Sequence, residues 1–144
     1  MTSTLFPGAV VHVLLDPVEG REQGGRRPGI VVSSTGGLET MTTLVSLVPV
    51  TSTDRGWRNH VPVRGVATGL TEPSFAMTEQ VRTVSRSRIR AVVGSVDPEC
   101  LITIRGWIHD FLFDDVLTGD VDRRLTRRVA ERRGGRDRLF EDRG

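Results

Sequence analysis

Two short polar stretches carry residues suited to phosphate chemistry. The first is Glu22-Gln23-Gly24-Gly25-Arg26-Arg27-Pro28, and the second is Pro49-Val50-Thr51-Ser52. Glycines allow a backbone to approach a ligand closely. Arginines are permanently charged forks whose geometry matches phosphate oxygens. Pro28 fixes its own φ and favours an extended Arg27. An apolar run, Gly29 to Ser33, follows at once and reads as a buried strand. A flexible loop therefore ends on an arginine at the mouth of a rigid element. Taken alone, a Gly-rich stretch with two arginines is usually a solvated connection.

The elements that must hold these residues are mostly strands. Ala9 to Leu15 is nearly continuous apolar sequence ended by Asp16-Pro17. Pro28 to Ser33 reads as a second strand, followed by a turn at Thr35-Gly36-Gly37. Met41 to Val50 is rich in β-branched residues and reads as a third. Thr51 to Asn59 is a second polar loop, with Asp54, Arg55, Trp57 and Arg58. His60 to Arg64, Phe75 to Val84 (with room for a bend) and Ala91 to Val96 complete the series. Short strands at close spacing with glycine turns predict a small barrel or curled sheet. The period then changes. Asp97-Pro98 is a helix start, with Asp as cap and Pro in the first turn. Leu101, Ile104, Ile108 and Phe111 follow at helical spacing, broadened by Trp107 and Leu112. This helix is expected to pack across the sheet and close the core. Gly106 weakens it by about 1 kcal/mol relative to alanine.

Composition narrows the class. At 144 residues the chain suits one domain with a sizeable core. With five Phe, two Trp and no Tyr, that core must be mostly Val, Leu and Ile, which favours strands. Cys100 has no second cysteine to pair with, which excludes an intrachain disulfide and a cysteine-based zinc site. No apolar run reaches transmembrane length, and the N-terminus lacks a signal-peptide layout, so the expected location is cytoplasmic. All 20 basic residues are arginine. A biased genome explains that usage, but every positive charge then stays on at any accessible pH. Net charge is only +2, so clustering matters more than total. His12, His60 and His109 show no ligand-like spacing, and neither a metal nor a cofactor is expected.

Gly8, the strand from Ala9, Asp16-Pro17, Glu22-Gln23-Gly24, Arg27-Pro28, Pro49-Val50-Thr51-Ser52, Gly69-Leu70, Ser74 and Glu79-Gln80-Val81-Arg82-Thr83-Val84 occur in this order. The ordered set resembles the MazF/PemK family of toxin–antitoxin endoribonucleases over roughly Pro7 to Phe113. Two positions depart from the family pattern: Ala9 stands where Asp is common after the first glycine, and Arg21 stands where a small residue is common. The resemblance implies a small SH3-like barrel (CcdB/Kid/MazF-like) closed by a C-terminal helix. It also implies a homodimer with an RNA groove at its interface, and a MazE-like antitoxin whose acidic, apolar segment fills that groove. Residues 1–113 would form this domain. Residues 114–144 are an Arg-rich extension, with eight arginines between Arg123 and Arg138. That extension is either solvated or frayed, or it serves RNA attraction or partner contact.

RNA carries its own nucleophile, the 2′-hydroxyl, so a protein can cleave it without metal by positioning and charge stabilisation. Arg27 is the candidate for the phosphate oxygens. The resemblance places Thr51 beside it; read alone, Thr51 is a turn-former at a strand end. Glu22 either accepts the 2′-hydroxyl proton or pairs with Arg26 or Arg27. Ser52 is a weaker candidate for the same phosphate. Trp57 either stacks a base or packs on the barrel rim. Arg21, Arg55 and Arg58 would engage backbone phosphates, with Gln23 and Gly24 in the first loop. Gln80 matches a family motif read as mainly architectural, on a strand beside the site, as does Arg82. Ser74 reads as structural too. The expected substrate is single-stranded RNA cut at a short preferred sequence. The alternative is a non-catalytic, CcdB-like toxin that binds DNA gyrase. The Arg27-Pro28 and Thr51 motifs favour the ribonuclease.

Overall fold

The computed structural model describes residues 4–15 and 26–113. The strands are β1 (Ala9–Leu14), β2 (Arg26–Val31), β3 (Leu44–Thr51), β4 (His60–Pro62), β5 (Phe75–Met77), β6 (Arg82–Ser85) and β7 (Ile89–Ser95). The helices are α1 (Thr35–Thr40) and α2 (Pro98–Leu112), and single 3-10 turns lie at Thr78–Gln80 and Arg86–Arg88. All described strand pairs are antiparallel, in the order β4-β5-β3-β2-β1-β7, with β6 also on β3.

β1 explains why its sequence is apolar at successive positions. Ala9, Val11, Val13 and Leu15 join one core cluster with Val31, Leu38, Val45, Leu47 and Val84. Val10 joins a second with Ile30, Val48, Val50, Val61, Ala76, Cys100 and Ile104. Side chains alternate along a strand, so a strand covered on both faces must be apolar throughout. α2 supplies the second cover. Its cap is as expected: the Asp97 carboxylate accepts from the Cys100 N–H at 2.7 Å, and Pro98 sits in the first turn. Cys100 lies on the buried face of the helix, where its thiol donates to the Pro62 carbonyl. Burial pushes that thiol's pKa up, so it stays protonated and unreactive.

Three local expectations change. The stretch Thr35-Gly36-Gly37 opens α1 rather than a turn, because the Ser34 hydroxyl accepts from the Gly37 N–H and Leu38 is buried. The segment from Phe75 to Val84 is two strands, β5 and β6, joined by a 3-10 turn; both lie along β3. Phe111 does not join the apolar face: it is exposed with Leu112 and Phe113, and the last α2 residues packed on the core are Trp107 and Ile108. The first loop's tip and the extension 114–144 lie outside the described residues.

The fold is mainly β with a C-terminal helix, and its sheet curls without closing by strand pairing. The segment after β4 spans the remaining gap. The Asp97 N–H donates to the Arg64 carbonyl, and the Ser95 N–H to the Ala67 carbonyl. Close approach there depends on two glycines. A Cβ at Gly94 would meet the Ala67 carbonyl oxygen at 2.4 Å, and one at Gly69, whose φ is +74°, would meet the Val93 carbonyl oxygen at 2.3 Å. Gly94→Ala should therefore lower unfolding free energy by about 1–3 kcal/mol in urea titration. Gly36→Ala, which meets open space in α1, should be neutral or stabilising. Equal effects at both positions would contradict this account of the crossing.

Four arginines spend their donors on backbone carbonyls. Arg82 and Arg88 both donate to the Leu15 carbonyl, where the first loop departs. Arg86 donates to the carbonyls of Leu38, Met41 and Leu44, and Arg105 to those of Val32 and Ser33. Charged donors satisfy carbonyls that leave the ladder at strand and helix ends.

Candidate active site

The register of β2 on β3 brings the two polar stretches together. Gly29 lies opposite Pro49. Two residues back along β2 and two forward along β3, Arg27 and Thr51 face each other where the ladder would continue. Side chains two apart share a sheet face, so both project on the side of Gly29 and Pro49. Both line a shallow cleft of about 360 Å³, with Pro28 and Val50 beneath them. Ser52 lines it too.

The hydroxyl oxygen of Thr51 accepts from the Thr53 N–H at 3.1 Å. This is the turn-forming role expected of a strand-terminal threonine. It also orients the side chain and leaves the hydroxyl proton to be donated outward. The turn reading and the site reading of Thr51 are therefore compatible. Arg27 is exposed at the cleft edge.

The far wall contains residues that sequence reasoning did not select. Leu70, Thr71, Glu72 and Ser74 come from the crossing segment and its approach to β5. Ser74, read as structural, does have such a role, since its hydroxyl donates to the Glu72 carbonyl at 2.8 Å. It also contributes to the cleft. Glu72 adds an acidic residue to the lining. The one available signal was the motif pair Gly69-Leu70 and Ser74, which bracket this wall.

Other candidates lie apart. Arg26 begins β2 and is exposed, opposite Leu14. Arg55, Trp57 and Arg58 sit in the exposed loop that leaves the cleft at Ser52, and none of the three lines it. That loop turns at Gly56, whose φ is +70° and whose N–H donates to Asp54. Gln80 lies on the 3-10 turn after β5, not on a strand, and is exposed; its amide approaches the Met77 sulfur at 3.6 Å. Arg82 is on β6, as expected of an architectural residue. Glu22, Arg21, Gln23 and Gly24 lie outside the described residues. Among the described residues, no three of His, Cys, Asp and Glu converge on one point. No helix among them is long and apolar enough to cross a membrane.

A larger groove of about 610 Å³ runs between the N-terminal segment, α1 and β7, lined by Phe6, Leu38, Arg86, Ile89 and Arg90 among others. None of the candidate residues faces it. Convergent polar chemistry, not volume, marks the smaller cleft as the site.

A family profile described as PemK-like, MazF-like toxin of type II toxin–antitoxin systems matches residues 6–112. Among characterised proteins, the chain is 33% identical to endoribonuclease MazF9 of Mycobacterium tuberculosis over 94 residues, covering 62% of this chain and 80% of the relative. It is 31% identical to endoribonuclease toxin MazF of Escherichia coli over 112 residues, 76% and 96% of the two chains. In the crystal structure of a MazE–MazF complex from Deinococcus radiodurans, one chain matches with a TM-score of 0.64 and 26% identity, covering 77% of this chain and 97% of that one.

Proposed function

The chain belongs to the PemK-like, MazF-like toxins of type II toxin–antitoxin systems, and on that membership we propose that it cleaves single-stranded RNA through the RNA's own 2′-hydroxyl. The observation that carries this reading is the apposition of Arg27 and Thr51 across β2 and β3 at one cleft. An arginine fork and an outward hydroxyl donor suit the non-bridging oxygens of a phosphodiester. The 2′-oxygen attacks phosphorus, the bond to the 5′-oxygen breaks, and a 2′,3′-cyclic phosphate forms. Negative charge grows on the phosphoryl oxygens during this step, and Arg27 and Thr51 stabilise it. Arg27 keeps its proton throughout. In this step Glu22 accepts the proton of the 2′-hydroxyl, and the leaving 5′-oxygen takes a proton from solvent water. The RNA brings the nucleophile and Arg27 the charge, so the step needs no metal.

The relatives named above are endoribonucleases, which favours this reading over a gyrase-binding, CcdB-like toxin. A cytoplasmic homodimer neutralised by a MazE-like antitoxin follows from the same membership; the Deinococcus neighbour is such a toxin with its antitoxin. Base choice falls to the loops, with Arg21, Gln23, Gly24 and Arg26 on one side and Ser52, Arg55, Trp57 and Arg58 on the other. Incubating purified protein with a long single-stranded RNA in EDTA should give discrete fragments. RNA left intact under these conditions would overturn the reading.

Residues 1–113 form the catalytic unit in this proposal, supported by a family match that ends at residue 112. Truncation after Asp114 should preserve folding and cleavage specificity. If the arginines beyond it capture RNA, the slope of log affinity against log salt should flatten by about 0.7 per lost phosphate contact. A truncated protein that fails to fold would show that Val121, Leu125 and Val129 belong to the structural unit.

A further inference from the structure

The second loop ends on a polar cluster around buried His60 and Thr78 that the phosphate chemistry leaves unused. His60 opens β4 and is only 2% exposed. Its Nε2 lies 2.9 and 3.1 Å from the two carboxylate oxygens of Glu79, on the 3-10 turn after β5. A carboxylate only accepts, so Nε2 is the donor. Glu79 also accepts from the Asn59 side-chain amide at 2.9 Å. Buried Thr78 donates its hydroxyl to the Asn59 carbonyl at 2.6 Å, and the His60 N–H donates to the Trp57 carbonyl at 3.1 Å. Asn59, His60 and the Trp57 backbone are thus fixed to the sheet by neighbours from one short turn.

This cluster supports an indole. The Trp57 ring rests on the His60 imidazole, with centroids 4.8 Å apart and planes tilted by 55°. The Arg55 guanidinium lies 5.8 Å from the indole centroid. Trp57 nevertheless remains 51% exposed. A tryptophan needed only for packing would not require a buried imidazole fixed by a carboxylate beneath it. Burying a polar ring is costly unless it is hydrogen-bonded, and Glu79 supplies that bond at Nε2. The arrangement is that of a ring held at a set angle with surface left for another flat group. Both Glu79 oxygens are engaged, which sets this carboxylate apart from proton transfer at the cleft.

We propose that Glu79 and His60 are positioning residues that hold Trp57 as a base-stacking platform in the loop next to the cleft. The strand whose phosphate sits at Arg27 then lays a nearby base on the indole. The inference rests on single-stranded RNA being the substrate. Stacking is tolerant of base identity, so the platform sets affinity and the path of the strand.

The test is single-turnover cleavage of a long single-stranded RNA over a range of protein concentrations. Trp57→Ala and Glu79→Ala should each raise the half-saturating concentration by on the order of ten-fold, the scale of one lost base–aromatic stack. The plateau rate should hold. Glu79→Gln, which retains an acceptor oxygen, should recover part of the loss. The double variant Trp57→Ala/Glu79→Ala should bind no worse than Trp57→Ala alone, because Glu79 acts through the indole. Losses that add, or a plateau that falls while half-saturation holds, would overturn the proposal. If the wild-type protein leaves RNA intact, the endoribonuclease reading fails, and the platform is then read by emission in a Trp107→Phe background. The same RNA should quench Trp57, less so after Glu79→Gln; emission unchanged by RNA would overturn the platform itself.

Discussion

Replacing Arg27 by alanine should reduce single-turnover RNA cleavage by about 10²–10³-fold while leaving the melting temperature near that of the wild type. The rate loss is the scale expected when one preorganised donor to a developing negative charge is removed. Stability should hold because Arg27 is exposed at the start of β2 and belongs to neither core cluster. Arg82 provides the contrast. It donates to the Leu15 carbonyl from β6, so Arg82→Ala should lower stability as well as activity. Thermal melts run beside cleavage assays separate the two cases. A large fall in melting temperature for Arg27→Ala would make that residue structural and remove it from the mechanism. Arg27→Lys keeps a charge but loses the planar fork, and should recover only part of the activity.

Removing the nucleophile should have a still larger effect. With hydrogen in place of the 2′-hydroxyl just 5′ to the cut, no attacking oxygen remains, and cleavage at that site should stop. The substituted RNA keeps its phosphates and bases, so it should still bind and compete with unmodified substrate. Competition without cleavage is the joint outcome expected. Cutting of the deoxy-substituted bond would mean that water or a protein group attacks phosphorus. Glu22, Arg27 and Thr51 would then need different roles.

Much of the scaffold was legible because its causes are local or strictly periodic. The run from Ala9 could be read as a doubly covered strand, and both core clusters draw on it. The start of α2 could be read from Asp97-Pro98, since capping chemistry depends on a few adjacent residues. α1 could not. Six residues containing Gly36 and Gly37 have little intrinsic helicity, and burial of Leu38 together with the Arg86 contacts from a distant turn holds them. The same limit applied to charge. Motif set Arg82 apart as architectural, but nothing in the sequence marked Arg86, Arg88 and Arg105, which also hold backbone carbonyls.

Within the site, residue types were legible before their arrangement. Arg27-Pro28 and Thr51 stood out by motif, but their meeting is a consequence of register, with Gly29 opposite Pro49. Glu72 and Thr71 carried no signal of their own. They reach the cleft because the segment after β4 crosses β7 where Gly69 and Gly94 permit it. His60 was passed over because no metal-like spacing involved it, whereas its partners are a carboxylate and an indole. Spacing rules find ligand sets more readily than they find a hydrogen-bonded pair assembled from two elements.

The chemical nature of the newly formed RNA ends tests the central claim most directly. Digestion of a defined single-stranded RNA by the purified protein in EDTA, followed by mass analysis of the fragments, reports which oxygen attacked phosphorus. Internal attack predicts an upstream fragment ending in a 2′,3′-cyclic phosphate and a downstream fragment beginning with a 5′-hydroxyl. An upstream 3′-hydroxyl paired with a downstream 5′-phosphate would contradict it, because those ends require an external nucleophile and a different role for the Arg27–Thr51 cleft.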